Sequence, residues 1–191
     1  MRRVREAFAA SLGFMKLKHV EYMAALGVPR ELATRCGPRP LWSAAPILTD
    51  AAGTFQVAEH GPHAVIMPVG LPGPNGWYVL TDLVAFFPEA PLCWWLLTGA
   101  GVLLGEDTVE DAARGVPLRL LSTPLGWLQA SGNGAVVLRW DILNPRTAFL
   151  GVERIECDTP ALATRLAVRV AECSRPIFEI TLADGGACHA A

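Results

Sequence analysis

Positive charge is absent from a long part of this sequence, since no lysine or arginine occurs from Leu41 to Ala113. Residues 1–40 hold eight lysines and arginines against three acids, whereas the remainder holds eight basic and fifteen acidic residues. The net charge of −2 and the pI of about 6.1 therefore conceal a basic front end on an acidic body. Because dedicated nucleic-acid binders are strongly basic as whole domains, we expect any contact with a polyanion to be confined to the front end.

Cysteine is scarce and scattered: the chain has five, with no C-x-x-C pair. An odd number of widely spaced cysteines argues against a zinc ribbon and a disulfide framework, and favours a reducing compartment. The longest uncharged apolar stretch, residues 90–105, is interrupted by proline and glycine and is shorter than the roughly 20 residues of a membrane span. The N-terminus also lacks the pattern of a signal peptide. We therefore expect a cytoplasmic protein that does not enter membranes.

Apolar side chains are abundant, because 52% of the 191 residues are hydrophobic and only 18% are charged. This composition suits one domain with a sizeable core. In front of it we predict a basic helical arm over residues 1–38, whose first helix covers roughly 2–26 with Gly13 as a point of interruption. Four apolar residues of that helix share one face: Val4, Phe8, Leu12 and Met15. A second short helix over 29–37 raises the alternative of a helix-turn-helix DNA reader.

The body is predicted to cover residues 46–183, after a linker in "GPRPLWSAAP" (37–46) and before a flexible tail at 184–191. Aromatic and β-branched residues concentrate in four segments, interpreted as an antiparallel meander: 54–59, 64–69, 77–87 and 93–99. Further strands are predicted over 148–157 and in "PIFEITL". The predicted fold class is α+β or α/β: an N-terminal helical arm, then a mixed sheet made of the meander and one βαβ unit, with flanking helices.

Two helices of the body are predicted from their capping residues. In "GEDTVEDAARG", Asp107 is expected to be the N-cap and Glu110 to occupy the reciprocal capping position. Asp158 is expected to cap a helix over 159–173. The buried stripe of that helix is predicted to consist of Leu162, Leu166 and Val170.

The βαβ unit lies in "PLRLLSTPLGWLQASGNGAVVLRWD", residues 117–141. Its parts are a strand over 118–121, a helix over 124–130 and a strand over 135–140. Such a crossover makes the two strands parallel and brings the helix N-terminus to the edge at which the second strand ends. Ser122 and Thr123 lie at that edge, where free N–H groups can hold an anion, and Asp141 closes the second strand beside them.

A purely structural interpretation accounts for the same residues. Ser122 or Thr123 then caps the helix, with Pro124 in its first turn, and Asp141 begins the turn before Asn144.

Two other patterns carry less chemistry. His60 and His63 are candidate metal ligands, but the Gly-Pro pair between them favours a loop. The segment "TGAGVLLG" misses the dinucleotide-binding fingerprint by one residue, which favours a tight turn after the Trp94–Trp95 strand.

The order of a β-rich lead-in with "VIMPV" and "LTDLVAF", then "LLTGAGVLLG", then a βαβ unit ending in "AVVLRWD" resembles the Toprim-containing region of phage and plasmid primases. It is also similar to proteins encoded near replication genes in prophages of GC-rich bacteria. In Toprim domains, a glutamate after the first strand and an Asp-x-Asp pair after a later strand hold magnesium. The matching positions here are Ser122 or Thr123 for the glutamate, and Arg139 and Asp141 for the pair. The resemblance, over roughly residues 54–141, therefore implies a degenerate relative without catalysis.

The leading hypothesis is a non-catalytic accessory protein of a phage or mobile-element replication system, without a cofactor, that binds a protein or a nucleic acid. The residues expected to contact that partner lie on the basic helices and at the crevice: Arg2, Arg3, Arg5, Lys16, Lys18, Ser122, Thr123 and Arg139. One alternative is a magnesium-dependent phosphoryl-transfer enzyme with Asp141 as metal ligand and catalytic carboxylate, completed by acids such as Asp107 or Glu110. Another is a protein-binding inhibitor that presents the acidic body.

Overall fold

The computed structural model describes residues 2–33, 40–72 and 78–174. The helices within these residues are α1 (Arg2–Leu12), α2 (Leu17–Ala25), α3 (Arg30–Ala33), α4 (Glu106–Ala112), α5 (Pro124–Gln129), α6 (Pro145–Ala148) and α7 (Pro160–Ser174). The strands are β1 (Ser43–Thr49), β2 (Phe55–Val57), β3 (His63–Pro72), β4 (Tyr78–Phe86), β5 (Trp94–Leu96), β6 (Leu103–Leu104), β7 (Leu118–Leu120), β8 (Val136–Val137) and β9 (Ile155–Cys157).

Five of these strands form one antiparallel sheet in the order β2-β1-β3-β4-β5. The long strands β3 and β4 are its centre, and their register shifts at a bulge between Val69 and Gly70. In two further sheets, β6 pairs antiparallel with β8 and β7 pairs parallel with β9. The fold is therefore mixed α+β. The predicted meander is confirmed for β3, β4 and β5, whereas β1 separates β2 from β3.

Successive residues of the sheet face two different cores, because side chains alternate along a strand. On one face, Ile66 packs with Val4 of α1. On the other face, Val65 packs with Met23 of α2 and with Trp127 of α5. The two basic helices α1 and α2 are thus anchored on the sheet that follows them in sequence.

The predicted linker is wrong in its second half, because β1 begins at Ser43 and includes Pro46. This strand also starts before the predicted body does. Its residues 43–47 are buried, and the hydroxyl of Ser43 lies 2.6 Å from that of Ser11 in α1. Small side chains and a proline therefore form a buried strand here, tied to the first helix. Residues 34–39 lie outside the described residues.

The helix α4 starts one residue before the predicted cap. Its N-cap is Gly105, which adopts a left-handed conformation with φ of +81°. Asp107 therefore lies in the first turn, and the prediction that Asp107 and Glu110 form a reciprocal cap is wrong. The reason is that glycine takes a positive φ at little cost and turns the chain into the helix directly.

The cap of α7 also differs from the prediction. Thr159 is the N-cap, since its side-chain oxygen accepts from the backbone N–H of Leu162 at 3.2 Å, and Asp158 is engaged elsewhere. Leu162 and Leu166 are buried as predicted. Val170 remains 41% exposed, so the predicted stripe is wrong at its last position.

The βαβ unit is looser than predicted. Its second strand shrinks to β8, and its parallel link to β7 is a single bridge between Leu120 and Ala135. The predicted strand over 148–157 is wrong in its first half, because α6 ends at Ala148 and β9 begins only at Ile155. The strand predicted in "PIFEITL" and the tail at 184–191 lie outside the described residues.

None of the helices described here is long and apolar enough to cross a lipid bilayer.

Candidate functional site

Asp141 is bound by its neighbour Arg139. The guanidinium donates from Nε to Oδ1 at 2.8 Å and from Nη2 to Oδ2 at 2.6 Å, which makes a bidentate ion pair. These hydrogen bonds lower the pKa of Asp141 to about 2 and raise the pKa of Arg139. The backbone carbonyl of Asp141 accepts a further bond from Arg169 of α7 at 3.0 Å. A metal ion would therefore have to compete with an internal cation for this carboxylate.

The glycine-rich loop after β5 holds an internal carboxylate. Asp82 of β4 is fully buried, and its carboxylate accepts from the backbone N–H groups of Thr98 at 2.9 Å, Ala100 at 2.8 Å and Gly101 at 3.0 Å. Backbone donors that converge in this way form a concave anion-binding nest, and here the anion is Asp82. The prediction of a tight turn in "TGAGVLLG" is confirmed, since the chain bends at residues 97–99 and Gly99 has φ of +77°.

Arg139 connects this loop to Asp141. Its Nη1 donates to the carbonyl oxygen of Gly99 at 2.8 Å, so the guanidinium spans the loop and the carboxylate. Asp82 orders the loop, the loop presents the carbonyl, and the carbonyl fixes Arg139. Arg139 was predicted to contact a partner, but its guanidinium is already bound to Asp141 and to the carbonyl oxygen of Gly99.

The start of α5 is likewise satisfied within the chain. The side-chain oxygen of Thr123 accepts from the backbone N–H of Gly126 at 2.9 Å, so Thr123 is the N-cap that the structural interpretation predicts. The backbone N–H of Ser122 donates to Asp158 at 2.8 Å, and its hydroxyl donates to the same carboxylate. The anion at this edge is Asp158, which the sequence interpretation assigned to α7 as a cap.

Each crevice residue predicted to meet a ligand thus has a partner inside the fold. Within residues 2–33, 40–72 and 78–174, no group of three or more histidine, cysteine, aspartate or glutamate side chains is placed to hold a metal ion. Asp107 and Glu110 accordingly do not join Asp141 in such a group. His63 packs against the ring of His19, with the ring centroids 5.0 Å apart.

The basic residues of the predicted partner surface remain exposed on α1 and at the start of α2: Arg2, Arg3, Arg5, Lys16 and Lys18. Arg2 forms an ion pair with Glu6 at 2.7 Å. The other four form no ion pair with any acid of the described part of the chain. They are the predicted site residues that stay available to an external anion.

Two hollows in the surface were not predicted. One is a cleft between α2 and β3, and the other is a groove of about 490 Å³ beside α4. Leu71, Ile142 and Leu150, which are 44%, 51% and 78% exposed, line the groove. Glu106 also lines it, with a buried Oε2 that has no hydrogen-bond partner in the described structure. Burial, followed by repulsion from Glu110 and Asp107, raises the pKa of Glu106 to about 7.

We expect Glu106→Gln to stabilise the protein at high pH. The folded protein keeps the proton of Glu106 between pH of about 4.5 and 7, where the unfolded chain has lost it, so stability falls as pH rises through that window. The amide removes this loss. Since the side chain is partly exposed, we expect a gain of about 1 kcal/mol in the free energy of unfolding at pH of about 8, and little change near pH 4.5.

Urea denaturation of both proteins at the two pH values measures this difference. Glu153→Gln is the matched control, because the side chain of Glu153 is exposed and Glu153 is not among the groups that raise the pKa of Glu106. An equal gain at both pH values, or a gain as large in the control, would contradict the assignment to Glu106.

No protein-family model, no curated protein and no solved structure matches this chain. The resemblance to Toprim-containing primases therefore stays a prediction, and the function has to follow from the contacts described above.

Proposed function

We propose that this chain is a non-catalytic accessory protein of a cytoplasmic phage or mobile-element replication system, and that it binds nucleic acid through its N-terminal helices. The observation that carries the proposal is a set of four exposed cations without an acidic partner in the described structure: Arg3, Arg5, Lys16 and Lys18. Such side chains can neutralise phosphates and release their condensed counterions.

The anchoring of these cations supports a binding role. Val4 of α1 and Met23 of α2 are 2% and 1% exposed, so both helices are fixed on the sheet. The backbone positions of these cations are therefore set before a ligand arrives, which lowers the entropy cost of binding.

The crevice supports the non-catalytic part of the proposal. Arg139 occupies both oxygens of Asp141, the carboxylate on which a magnesium-dependent alternative depends. The resemblance to Toprim-containing primases supports the replication setting. The positions matching the family's acids are occupied by Ser122 or Thr123 and by Arg139, which supports the absence of catalysis.

Fluorescence anisotropy with labelled single- and double-stranded DNA tests the nucleic-acid role. We expect binding at about 50 mM salt that weakens about 100-fold by about 200 mM. The reason is that each of about four phosphate contacts contributes about −0.9 to the slope of the logarithm of the binding constant against the logarithm of the salt concentration. The variant Arg3→Ala/Arg5→Ala/Lys16→Ala/Lys18→Ala should lose most of this affinity and flatten the slope.

Arg114→Ala/Arg154→Ala is the matched control. Both arginines are exposed, but each already pairs with an acid, Asp111 at 2.8 Å and Glu156 at 2.9 Å. The control should bind as the parent protein does. The proposal fails if the parent does not bind DNA at low salt, or if the fourfold variant binds it unchanged.

A further inference from the structure

The cleft between α2 and β3 has a volume of about 300 Å³ and an apolar base. Met23, Ala44 and Val65 line it and are at most 4% exposed. The volume is at the lower end of the range for small-molecule sites, and an apolar base with a few polar groups is their usual composition. Lys18 and His19 contribute polar groups from α2.

His19 presents a hydrogen-bond donor. Its Nδ1 accepts from the backbone N–H of Lys16 at 3.1 Å, so the neutral ring carries its proton on Nε2. A histidine that binds a metal usually does the opposite, since its second nitrogen donates to a carbonyl or carboxylate. The arrangement at His19 therefore favours an acceptor ligand over a metal ion.

His63 adds a second imidazole. The two rings lie 5.0 Å apart between centroids, with their planes inclined by 37°. Burial lowers the pKa of both histidines; His63, Lys18 and Lys16 lower that of His19 further, and the two lysines act on His63 as well. An anion in the cleft would counter these positive charges and favour the protonated rings.

The remaining polar groups fit the same ligand. Trp42 lines the cleft and is 2% exposed, and its indole N–H has no acceptor in the described structure. Glu89 is the acidic residue of the lining, and its Oε1 already accepts from the hydroxyl of Tyr22 at 3.0 Å. Donors thus outnumber the acceptors left open to a ligand.

We infer that this cleft is a binding site for a small organic anion, a phosphate or carboxylate attached to an apolar group. The anionic group contacts Lys18 and the Nε2–H of His19, and the apolar group lies on Met23 and Val65. The ligand is either a free small molecule or the terminal phosphate of a nucleic acid. This site does not depend on the proposed function, although Lys18 belongs to both surfaces.

Titration of the ¹⁵N-labelled protein with phenyl phosphate, benzoate and benzyl alcohol, followed by NMR, tests the site. The two anions should shift the indole resonance of Trp42 and the ring resonances of His19 and His63 saturably, whereas the uncharged alcohol should not. Anion binding should also raise the pKa of both histidines. If the pKa of a histidine rises by one on binding, the protonated form must bind the anion about tenfold more tightly than the neutral form. The affinity should therefore increase as pH falls.

His19→Gln and His63→Gln should each weaken phenyl phosphate binding, and the double variant should remove the pH dependence of benzoate binding above pH of about 5. His60→Gln is the matched control, because His60 is exposed and does not line the cleft. Amide spectra of each variant verify that it is folded. The inference is overturned if phenyl phosphate fails to saturate, if benzyl alcohol binds equally well, or if Zn²⁺ alone binds the two histidines and phenyl phosphate does not.

Competition identifies the source of the anion and supports the site in either case. Displacement of phenyl phosphate by a 5′-phosphorylated oligonucleotide, but not by its unphosphorylated form, assigns the cleft to a strand end. Retention of phenyl phosphate against both oligonucleotides assigns the cleft to a free small molecule. Because neither readout uses the variants of Arg3 and Arg5, failure here is distinguishable from failure of DNA binding.

Discussion

Asp82→Ala is expected to destabilise the protein by about 4 kcal/mol or more. Asp82 is fully buried, and its carboxylate accepts from four backbone N–H groups. These are the N–H groups of Leu83, Thr98, Ala100 and Gly101. Alanine leaves them without their acceptor in the interior, where each buried unpaired donor costs about 1–3 kcal/mol. A loss of this size is a large fraction of the stability of a typical domain.

Urea denaturation measures the effect, and Asp50→Ala is its matched control. The carboxylate of Asp50 also accepts from backbone N–H groups, of Ala52 at 3.0 Å and of Thr54 at 2.8 Å, but in an exposed turn. Water can replace these bonds, so the control should lose much less stability than Asp82→Ala. Equal losses in the two variants would contradict a special role for the buried carboxylate.

Asp82→Asn extends the prediction to the crevice. The amide keeps the shape of the side chain but replaces one acceptor oxygen with a donor that faces backbone N–H groups. The loop from Thr98 to Gly101 should loosen, and Arg139 should lose its fixed carbonyl partner at Gly99. The pKa of Asp141 should then rise from about 2 toward its ordinary value. An NMR titration of Asp141 that is identical in both proteins would contradict this coupling.

The sheet was largely predictable because its signal is local. In β3 and β4, apolar residues fill successive positions and face two cores, so the segments 64–69 and 77–87 had the composition of buried strands. β1 was missed because "SAAP" has the small residues and proline of a linker. Its strand conformation depends on pairing with β3 and on the contact between Ser43 and Ser11, neither of which is visible along the sequence.

The candidate site was predictable only where partners are close in sequence. Thr123 and Gly126 are three residues apart, and the cap was foreseen as an alternative. Ser122 and Asp158 are 36 residues apart, so the internal anion at that edge could not be predicted. The same holds for the cleft, where Tyr22 and Glu89 are 67 residues apart. Asp82 did leave a signal, as an acid inside the apolar segment "LTDLVAFF", because such an acid needs buried donors.

Local rules also fail where a glycine changes the direction of the chain. Asp107 and Glu110 have the spacing of a capping box, but Gly105 occupies the N-cap position of α4, two residues before Asp107. The consequence is chemical, since Glu106 becomes the first residue of the helix and turns into the groove with an unpaired buried oxygen.

Gly105→Ala should therefore be the second strongly destabilising change, with an expected loss of about 3 kcal/mol or more. The backbone at Gly105 has φ of +81°, which costs a non-glycine residue about 1–2 kcal/mol. A Cβ there would also overlap the carbonyl oxygen of Gly134 and the indole nitrogen of Trp127. These two atoms form a buried hydrogen bond of 2.8 Å, and forcing them apart adds about 1–3 kcal/mol.

Gly53→Ala is the matched control for this prediction. Its φ of +79° is almost the same, but an added Cβ meets no atom within 4 Å. The control should lose only the conformational cost of about 1–2 kcal/mol, as measured by urea denaturation. The indole resonance of Trp127 should shift in Gly105→Ala and not in the control. Similar losses in the two variants would mean that the start of α4 tolerates a side chain and that its close packing is not what places Glu106.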